Sequence, residues 1–236
     1  MNTFNAPGQE LRNNITKESS ELGYHPEHKK NFIRLAKGEV ISSADYPSRL
    51  IFVCDGYLLQ GRKGYKKNLG LLFPGDLLIM PEASQLCMAT AESNCTLFVT
   101  LVHLYDDNID SDILKQLWTH FVMWGDEIGN RNMVTNTSSS VHDKLIYLLD
   151  RCCKKDFEWR TGQRDEIPDG YTCKIPLGVS GIARAASVSR SQATKKLKKL
   201  QDMGIIDWTY GKLEILKPAA IMDEFNRIFP LHVDAD

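Results

Sequence analysis

A short basic segment near the C-terminal end carries the side chains best suited to bind a polyanion. Lysine and arginine neutralise phosphates, arginine also fits the two acceptor atoms of guanine, and hydroxyl groups donate to phosphate oxygens. This combination favours a nucleic acid as the ligand. The candidate contact residues are Ser189, Arg190, Ser191, Gln192, Thr194, Lys195, Lys198, Lys199 and Lys212.

The pattern around these residues predicts two helices separated by a tight turn. Small and apolar residues at helical spacing predict the first helix over residues 179–186. Ser189 is the predicted N-cap of the second helix, and Gln192 stands where it completes a capping box. This helix covers residues 190–203, and Gly204 ends it. Its apolar stripe is formed by Ala193, Leu197, Leu200 and Met203.

A β-hairpin is predicted to follow the second helix. One strand begins at Ile205, the dipeptide Tyr210-Gly211 forms the turn, and residues 212–216 alternate as the returning strand. Beyond the hairpin, apolar residues at helical spacing predict a last helix over residues 219–229. We expect this helix to pack on the domain that contains the hairpin.

Positive charge is concentrated in this part of the chain. The whole protein has 29 lysine or arginine residues, 30 aspartate or glutamate residues and a formal net charge of −1. From Lys174 to Lys217 there are nine basic residues and only three acidic ones. A nearly neutral protein with one basic end uses that charge locally. A lysine-rich face is often only the solvated side of a helix, but here the turn, the cap, the terminal glycine and the hairpin accompany it.

The run from Val188 to Lys195, followed by Leu197 and Leu200, resembles the DNA-binding helix of the catabolite activator / FNR family of bacterial transcription regulators. The resemblance extends without gaps from Leu177 to the Tyr210-Gly211-Lys212 turn. It implies a winged helix-turn-helix whose second helix enters the major groove of DNA.

The resemblance also implies roles for single residues. Arg190 matches the arginine with which the family contacts a guanine, and Lys195 matches a second base-contacting position. Ser189 matches a hydroxyl that contacts a phosphate. One position departs from the family, which usually has a glutamate directly after the arginine where this chain has Ser191. The resemblance therefore does not fix the sequence of the half-site.

Many short strands are predicted over residues 31–102, at intervals typical of a sandwich or a barrel. The dipeptide Asp55-Gly56 between two apolar runs is a strong hairpin signal, and a further turn lies at Pro74-Gly75-Asp76. In order and turn placement, this region resembles the β-roll sensor domain of the same family. The predicted strands cover residues 32–35, 40–41, 50–54, 57–60, 69–73, 86–90 and 96–102.

The pocket of this sensor-like domain departs from the family members that bind cyclic nucleotides. Those members have a Gly-Glu pair soon after the Gly-Asp turn, followed by an Arg-Ser-Ala or Arg-Thr-Ala run. After Asp76, this chain has no lysine or arginine before Lys115. A buried phosphate without a cation is costly to desolvate. We therefore predict that cyclic AMP does not bind here, that Glu82 is not a ribose ligand, and that the protein has no cofactor.

The six cysteines do not suit a metal cluster, because Cys152 and Cys153 are adjacent and the others are isolated. Cys152 is predicted to be a small apolar residue on the inner face of a helix over residues 141–153, with a redox-sensing thiol as the alternative. The lone histidines His103 and His120 are more typical of surface or packing residues than of haem ligands. We predict no metal site, and no phosphate loop, zinc-ligand spacing or Ser-His-Asp set indicates an enzyme.

Residues 109–132 are predicted to form a long amphipathic helix. Its apolar stripe packs on the β-roll, pairs with its copy in a homodimer, or does both. We favour the homodimer, for which the family resemblance also argues. The predicted interface residues are Ile113, Leu117, Phe121, Trp124 and Ile128.

The predicted fold class is α+β, with a cyclic-nucleotide-binding-like jelly roll, a long dimerisation helix and a winged helix-turn-helix. The polar stretch 135–140 is the predicted hinge, residues 156–171 are a charged loop, and residues 171–175 are a strand. The predicted domains cover residues 1–108, 109–134 and 135–236.

The predicted function is that of a sequence-specific DNA-binding transcription regulator, a homodimer on a pseudo-palindromic site, with RNA polymerase as a candidate partner. The alternative is a redox- or ligand-responsive signalling module that uses its winged helix for protein contacts. No apolar run approaches the roughly 20 residues that span a bilayer, and the first residues lack the pattern of a signal peptide. A cytoplasmic location is therefore predicted, without membrane partners.

Overall fold

A computed structural model describes residues 32–62, 70–80, 87–101, 140–163, 167–209 and 211–229. These residues fall into two compact units. The first contains the strands up to residue 101 together with residues 158–163, and the second contains the rest of the residues from 140 onwards. The predicted dimerisation helix over residues 109–134 lies outside the described residues.

Eight short strands form two four-stranded antiparallel sheets in the first unit. The strands are β1 (Phe32–Leu35), β2 (Val40–Ser42), β3 (Arg49–Asp55), β4 (Leu58–Arg62), β5 (Gly70–Leu72), β6 (Leu77–Met80), β7 (Cys87–Ala91) and β8 (Cys95–Leu101). One sheet has the order β1-β8-β3-β6 and the other has the order β2-β7-β4-β5. Every strand predicted from the sequence is present.

The core of this unit takes side chains from both sheets. Successive residues of a strand point to opposite faces, and Ile51 and Val53 of β3 are both fully buried. They share one apolar cluster with Leu58 of β4 and Leu97 of β8. Burying a side chain of this size contributes about 1.5–3 kcal/mol, so the shared apolar cluster stabilises the packing of the two sheets.

The predicted hairpin at Asp55-Gly56 is wrong. β3 pairs with β6 and β8, whereas β4 pairs with β5 and β7. The dipeptide therefore carries the chain from one sheet to the other. Gly56 has a φ of 87°, and a Cβ at this position would lie 2.3 Å from the carbonyl oxygen of Asn94. A left-handed backbone and a close approach both require glycine here. A hairpin turn produces the same Asp-Gly signal, so the sequence does not distinguish the two structures.

Strand β6 was not predicted, because its Leu-Leu-Ile-Met sequence has no alternation between apolar and polar residues. A continuous apolar run is typical of a strand buried on both faces, but periodicity alone does not identify it. The preceding turn positions the strand. Asp76 is fully buried and its Oδ2 accepts the backbone N–H of Phe73 at 2.9 Å, while the Asp76 carbonyl accepts the N–H of Val53.

The described residues of the second unit form four helices and a three-stranded antiparallel sheet of order β10-β11-β9. Residues 158–161 at the end of α1 are grouped with the first unit. The elements are α1 (Val141–Thr161), β9 (Cys173–Ile175), α2 (Val179–Ala185), α3 (Arg190–Asp202), β10 (Ile206–Thr209), β11 (Lys212–Ile215) and α4 (Pro218–Ile228). The predicted strand at 171–175 is confirmed, and it is the third strand beside the predicted hairpin.

Helix α1 is longer than predicted. The sequence analysis ended it at residue 153 and made residues 156–171 a loop, but the helix continues to Thr161. Phe157 is buried and its ring lies 5.2 Å from that of Tyr171. This contact with a residue beyond the helix stabilises the two additional turns of α1 after residue 153, although their sequence is mostly charged. Gly162, with a φ of 73°, follows the last turn.

Candidate nucleic-acid interface

Helix α3 is positioned by a four-residue connection from α2. Ser187 adopts a φ of 53°, which reverses the chain direction. The N–H of Val188 then donates to the carbonyl of Ala183 at 2.9 Å. Underneath, Ala193, Leu197 and Leu200 are buried and form the predicted apolar stripe. Met203, which was assigned to the same stripe, is 65% exposed just beyond the helix.

The predicted capping box at the start of α3 is confirmed. The Oγ of Ser189 accepts the N–H of Gln192 at 3.2 Å, and the Oε1 of Gln192 accepts the N–H of Ser189 at 3.1 Å. Each bond satisfies a backbone donor that the first turn of a helix leaves without a partner. At the other end, Gly204 adopts the predicted left-handed conformation with a φ of 65°. The helix therefore has a defined start and a defined end.

The outer face of α3 carries most of the predicted contact residues. Thr194 is half-buried, and the other predicted residues of this helix are exposed. In the part of the chain that the structure describes, none of its lysine or arginine residues forms an ion pair. The exposed contact residues are Arg190, Ser191, Gln192, Lys195, Lys198 and Lys199, and the cap Ser189 is exposed beside them.

The polar side chains of the first turn form a small hydrogen-bond network. The hydroxyl of Ser189 donates to Gln192 Oε1 at 2.9 Å and lies 3.1 Å from the hydroxyl of Ser191. One turn further on, the hydroxyl of Thr194 donates to the carbonyl of Arg190 at 2.9 Å. The sequence analysis predicted the capping role of Ser189 but treated the hydroxyls of Ser191 and Thr194 as contact groups only. Serine and threonine at the start of a helix favour such local bonds, so their types and positions were a signal for this network.

The hairpin β10–β11 is confirmed, with Thr209 opposite Lys212. Leu213 and Ile215 face inwards and are buried. Lys212 is exposed on the outer face. Because side chains alternate along a strand, this face also carries Asp207, Glu214 and Lys174, which lie opposite one another in register. Lys174 Nζ lies 3.8 Å from Glu214 Oε1. The outer face of this three-stranded sheet β10-β11-β9, called the wing sheet below, therefore balances two lysines with two carboxylates, which the count of basic residues did not reveal.

The cysteines of the second unit belong to its core. Cys152, Cys153 and Cys173 are buried thiols. Burial raises the pKa of the Cys152 thiol well above its usual value, with the nearby Cys173 adding to the effect. A thiol reacts as its thiolate, so the predicted packing role of Cys152 fits its environment. Among the described residues, no group of three or more His, Cys, Asp or Glu side chains is placed to hold a metal ion.

The five predicted dimer-interface residues from Ile113 to Ile128 lie outside the described residues, and so does Tyr210 of the wing turn. Among the described helices, none combines the length and the apolar character needed to cross a membrane.

Comparison with known proteins identifies the fold. A scan against protein-family models gives no match, and a search of the curated proteins gives none either. Among solved structures, TTHB099, a transcriptional regulator of the CRP family from Thermus thermophilus, matches with a TM-score of 0.60 at 15% identity, over 82% of this chain and 96% of its own. The chain has the fold of the CRP/FNR regulators.

Two further structures support the CRP/FNR fold. FixK2 from Bradyrhizobium japonicum matches with a TM-score of 0.59 at 12% identity, over 81% of this chain and 95% of its own. TTHA1359, a transcriptional regulator of the CRP/FNR family from Thermus thermophilus, matches with a TM-score of 0.56 at 17% identity, over 83% and 98%. At these identities the likeness establishes the CRP/FNR fold, and the chemistry of the site has to come from this chain's own residues.

Proposed function

We propose that this protein is a cytoplasmic, sequence-specific DNA-binding transcription regulator that acts as a homodimer on a pseudo-palindromic site. The observation that carries the proposal is the outer face of α3, which is basic, exposed and without ion pairs in the described part of the chain. A winged helix used only for protein contacts has no need of four exposed cations without ion pairs on α3. The CRP/FNR fold of the chain supports the same function.

In this proposal α2 and α3 act as a helix-turn-helix, and the start of α3 enters the major groove. Arg190 donates two parallel hydrogen bonds to a guanine, and Lys195 contacts a second base. Lys198 and Lys212 contact phosphates, which position the helix without specifying sequence, and Ser189 caps the helix beside them. The capping box supports this arrangement, because it fixes the first turn from which Arg190 projects.

The balanced charges of the wing sheet refine this proposal. Asp207 and Glu214 share the outer face with Lys212, and carboxylates repel phosphates. Lys212 stands at the turn end of β11 opposite Thr209, and the Asp207–Glu214 pair lies one same-face position further from the turn. We therefore assign the wing a single phosphate contact, and the main electrostatic attraction to α3.

The homodimer rests on the stripe from Ile113 to Ile128, whose helical spacing suits pairing with its own copy. A two-fold protein contacts two half-sites that are about 34 Å apart, one turn of the duplex. RNA polymerase is a candidate partner of the bound dimer.

Cyclic AMP is not the signal in this proposal. The sequence after Asp76 supplies no lysine or arginine before Lys115, and the Asp76 carboxylate itself closes the turn before β6. Titration calorimetry of the full-length protein with cyclic AMP is expected to give no binding heat up to millimolar nucleotide. Micromolar binding would contradict this part of the proposal and leave the DNA-binding part intact.

A selection of bound fragments from random DNA tests the function itself. The full-length protein is expected to enrich one motif with two half-sites related by a dyad, about 10 base pairs between centres. Affinity for it is expected to fall steeply as salt rises, because each neutralised phosphate releases counterions. Arg227→Ala, which removes an exposed arginine of α4, is the matched control and is expected to enrich the same motif. A wild-type protein that enriches no motif at low salt would refute the proposal.

A further inference from the structure

We propose that the base contacts of α3 are hydrogen bonds donated by Arg190 and Lys195, and that Ser191, Gln192 and Thr194 are positioning residues. This inference rests on the proposed function and specifies the DNA it selects. The half-site is defined by bases that present acceptors in the major groove, guanine above all, and adenine is not recognised by the glutamine of the first turn.

The hydrogen bonds of the first turn occupy the carboxamide oxygen of Gln192, so this side chain cannot identify an adenine. A glutamine identifies adenine with two bonds, one accepted by its oxygen and one donated by its nitrogen. The oxygen of Gln192 already accepts the N–H of Ser189 at 3.1 Å and the hydroxyl of Ser189 at 2.9 Å. Both of its lone pairs are therefore occupied, and the adenine contact would require breaking the cap of the helix.

The two serines of the turn are occupied in the same way. The Ser189 hydroxyl gives its only proton to Gln192 and accepts the Gln192 N–H. The hydroxyl of Ser191, at 3.1 Å from that of Ser189, then acts as the donor of this pair. A hydroxyl has one proton, so Ser191 has none left for a base or a phosphate while the network is intact.

Thr194 is held by the backbone of its own helix. Its hydroxyl donates to the carbonyl of Arg190, four residues earlier, at 2.9 Å. This bond turns the hydroxyl along the helix axis and joins the second turn to the residue that contacts guanine. Thr194 is also only partly exposed.

Near the start of the helix the Gln192 carboxamide keeps an uncharged NH2 group, and the exposed cationic donors are Arg190 and Lys195. Both side chains donate and neither accepts. Guanine presents two acceptors in the major groove, whereas cytosine presents an amino donor there. The two residues are five positions apart, which is about 7.5 Å along the helix axis, or roughly two base-pair steps. We therefore expect two guanine-directed positions in each half-site.

The experiment is the same selection from random DNA, carried out with the wild-type chain and four variants. Gln192→Glu keeps a capping oxygen at the third helical position, and Gln192→Ala removes it. Both are expected to bind more weakly at all sequences while keeping the wild-type base preferences. Ser191→Glu adds an exposed acceptor and is expected to create a new preference for a base with an amino group, cytosine or adenine. Arg190→Ala is the positive control and is expected to lose about 5- to 150-fold discrimination at one guanine position.

The possible results separate the two proposals. If the wild-type chain selects no motif, the proposed function is wrong and this inference is wrong with it. If the wild-type chain selects a motif, and both Gln192 variants lose an adenine preference that Arg190→Ala retains, Gln192 contacts that base. Only the inference is then overturned. A wild-type half-site that strongly prefers cytosine or adenine on the strand contacted by α3, with no guanine, would overturn it as well.

Discussion

Helix α3 and the junction of α1 with α4 are both rich in charge but use it in opposite ways. At the junction, Lys154 Nζ lies 2.8 Å from the buried Asp150 and 4.6 Å from the centre of the Phe225 ring. Glu224 accepts hydrogen bonds from both Arg227 and His142. On α3, the lysine and arginine residues have no such partners within the described residues.

The difference indicates which charges serve the fold and which are free for a ligand. Each pair of like charges at positions i and i+4, such as Lys195 and Lys199, lowers the stability of a helix by a few tenths of a kcal/mol. Helix α3 tolerates this cost because its stability comes from the capping box and from the buried stripe beneath. At the junction, His142 with Glu224 and Lys154 over Phe225 join the two helices, whereas the Asp150 and Arg227 pairs lie within single helices. Four changes test this division, in order of expected effect.

The largest effect is expected from Leu197→Ala, which removes a fully buried side chain from the underside of α3. A cavity of this kind costs about 2–5 kcal/mol of unfolding free energy. We expect urea denaturation of the variant to show this loss and DNA binding to weaken with it. Leu197→Met, which keeps the volume, is the control and is expected to lose less than about 1.5 kcal/mol. An alanine variant as stable as wild type would show that α3 does not depend on its buried stripe.

Arg190→Ala is expected to cost about 1–3 kcal/mol of binding free energy at one base position. Its unfolding free energy should change little, because the side chain is exposed and has no ion pair in the described residues. Arg227→Ala should do the reverse and weaken the fold while leaving binding unchanged, because Arg227 donates to Glu224 at 2.6 and 2.7 Å. Binding by gel shift and unfolding in urea are both measured. Similar binding losses in the two variants would remove the distinction between the two regions.

Lys198→Ala is expected to weaken binding to all sequences about equally. The slope of log affinity against log salt should fall in magnitude by about 0.9, because the variant neutralises one phosphate fewer. Fluorescence anisotropy at several salt concentrations measures this slope. Lys198→Arg keeps the charge and should keep the slope. If Lys198→Ala instead changes the selected sequence, Lys198 contacts a base.

The smallest effect concerns pH and the junction. Hydrogen bonds from Arg227 and from His142 lower the pKa of Glu224 to about 2, from an ordinary value of 4.5. A carboxyl group with a lowered pKa in the folded state stabilises the fold above its unfolded pKa. Its contribution is lost as the pH falls from about 4.5 towards 2. The difference in unfolding free energy between wild type and Glu224→Gln should therefore shrink between pH 5 and pH 3, to an extent that salt reduces.

A constant difference over this range would mean that the Glu224 carboxylate does not stabilise the junction. DNA binding at neutral pH should be the same in both proteins, since Glu224 lies on α4 and not on α3.

The features that the sequence predicted correctly depend on residues a few positions apart. The cap at Ser189, its partner Gln192 and the stop at Gly204 interact within single turns of the chain, so their residue types were sufficient. The alternation in the wing predicted which residues of β11 are buried. The resemblance on the basic helix predicted the fold that the solved structures support.

The features that were missed depend on residues far apart in the chain. Asp55-Gly56 and Tyr210-Gly211 carry similar turn signals, but only the second joins two paired strands. Asp55-Gly56 does not form a hairpin because β3 and β4 pair with strands further along the chain, β5 to β8, and not with each other. The last turns of α1 depend in the same way on Tyr171.

The sequence by itself determined where the helices of the basic segment begin and end, because capping and periodicity are local interactions. It also determined that the segment is cationic. Tertiary structure alone decided which of the charged groups are paired, since Glu224 meets His142 across 82 positions of the chain.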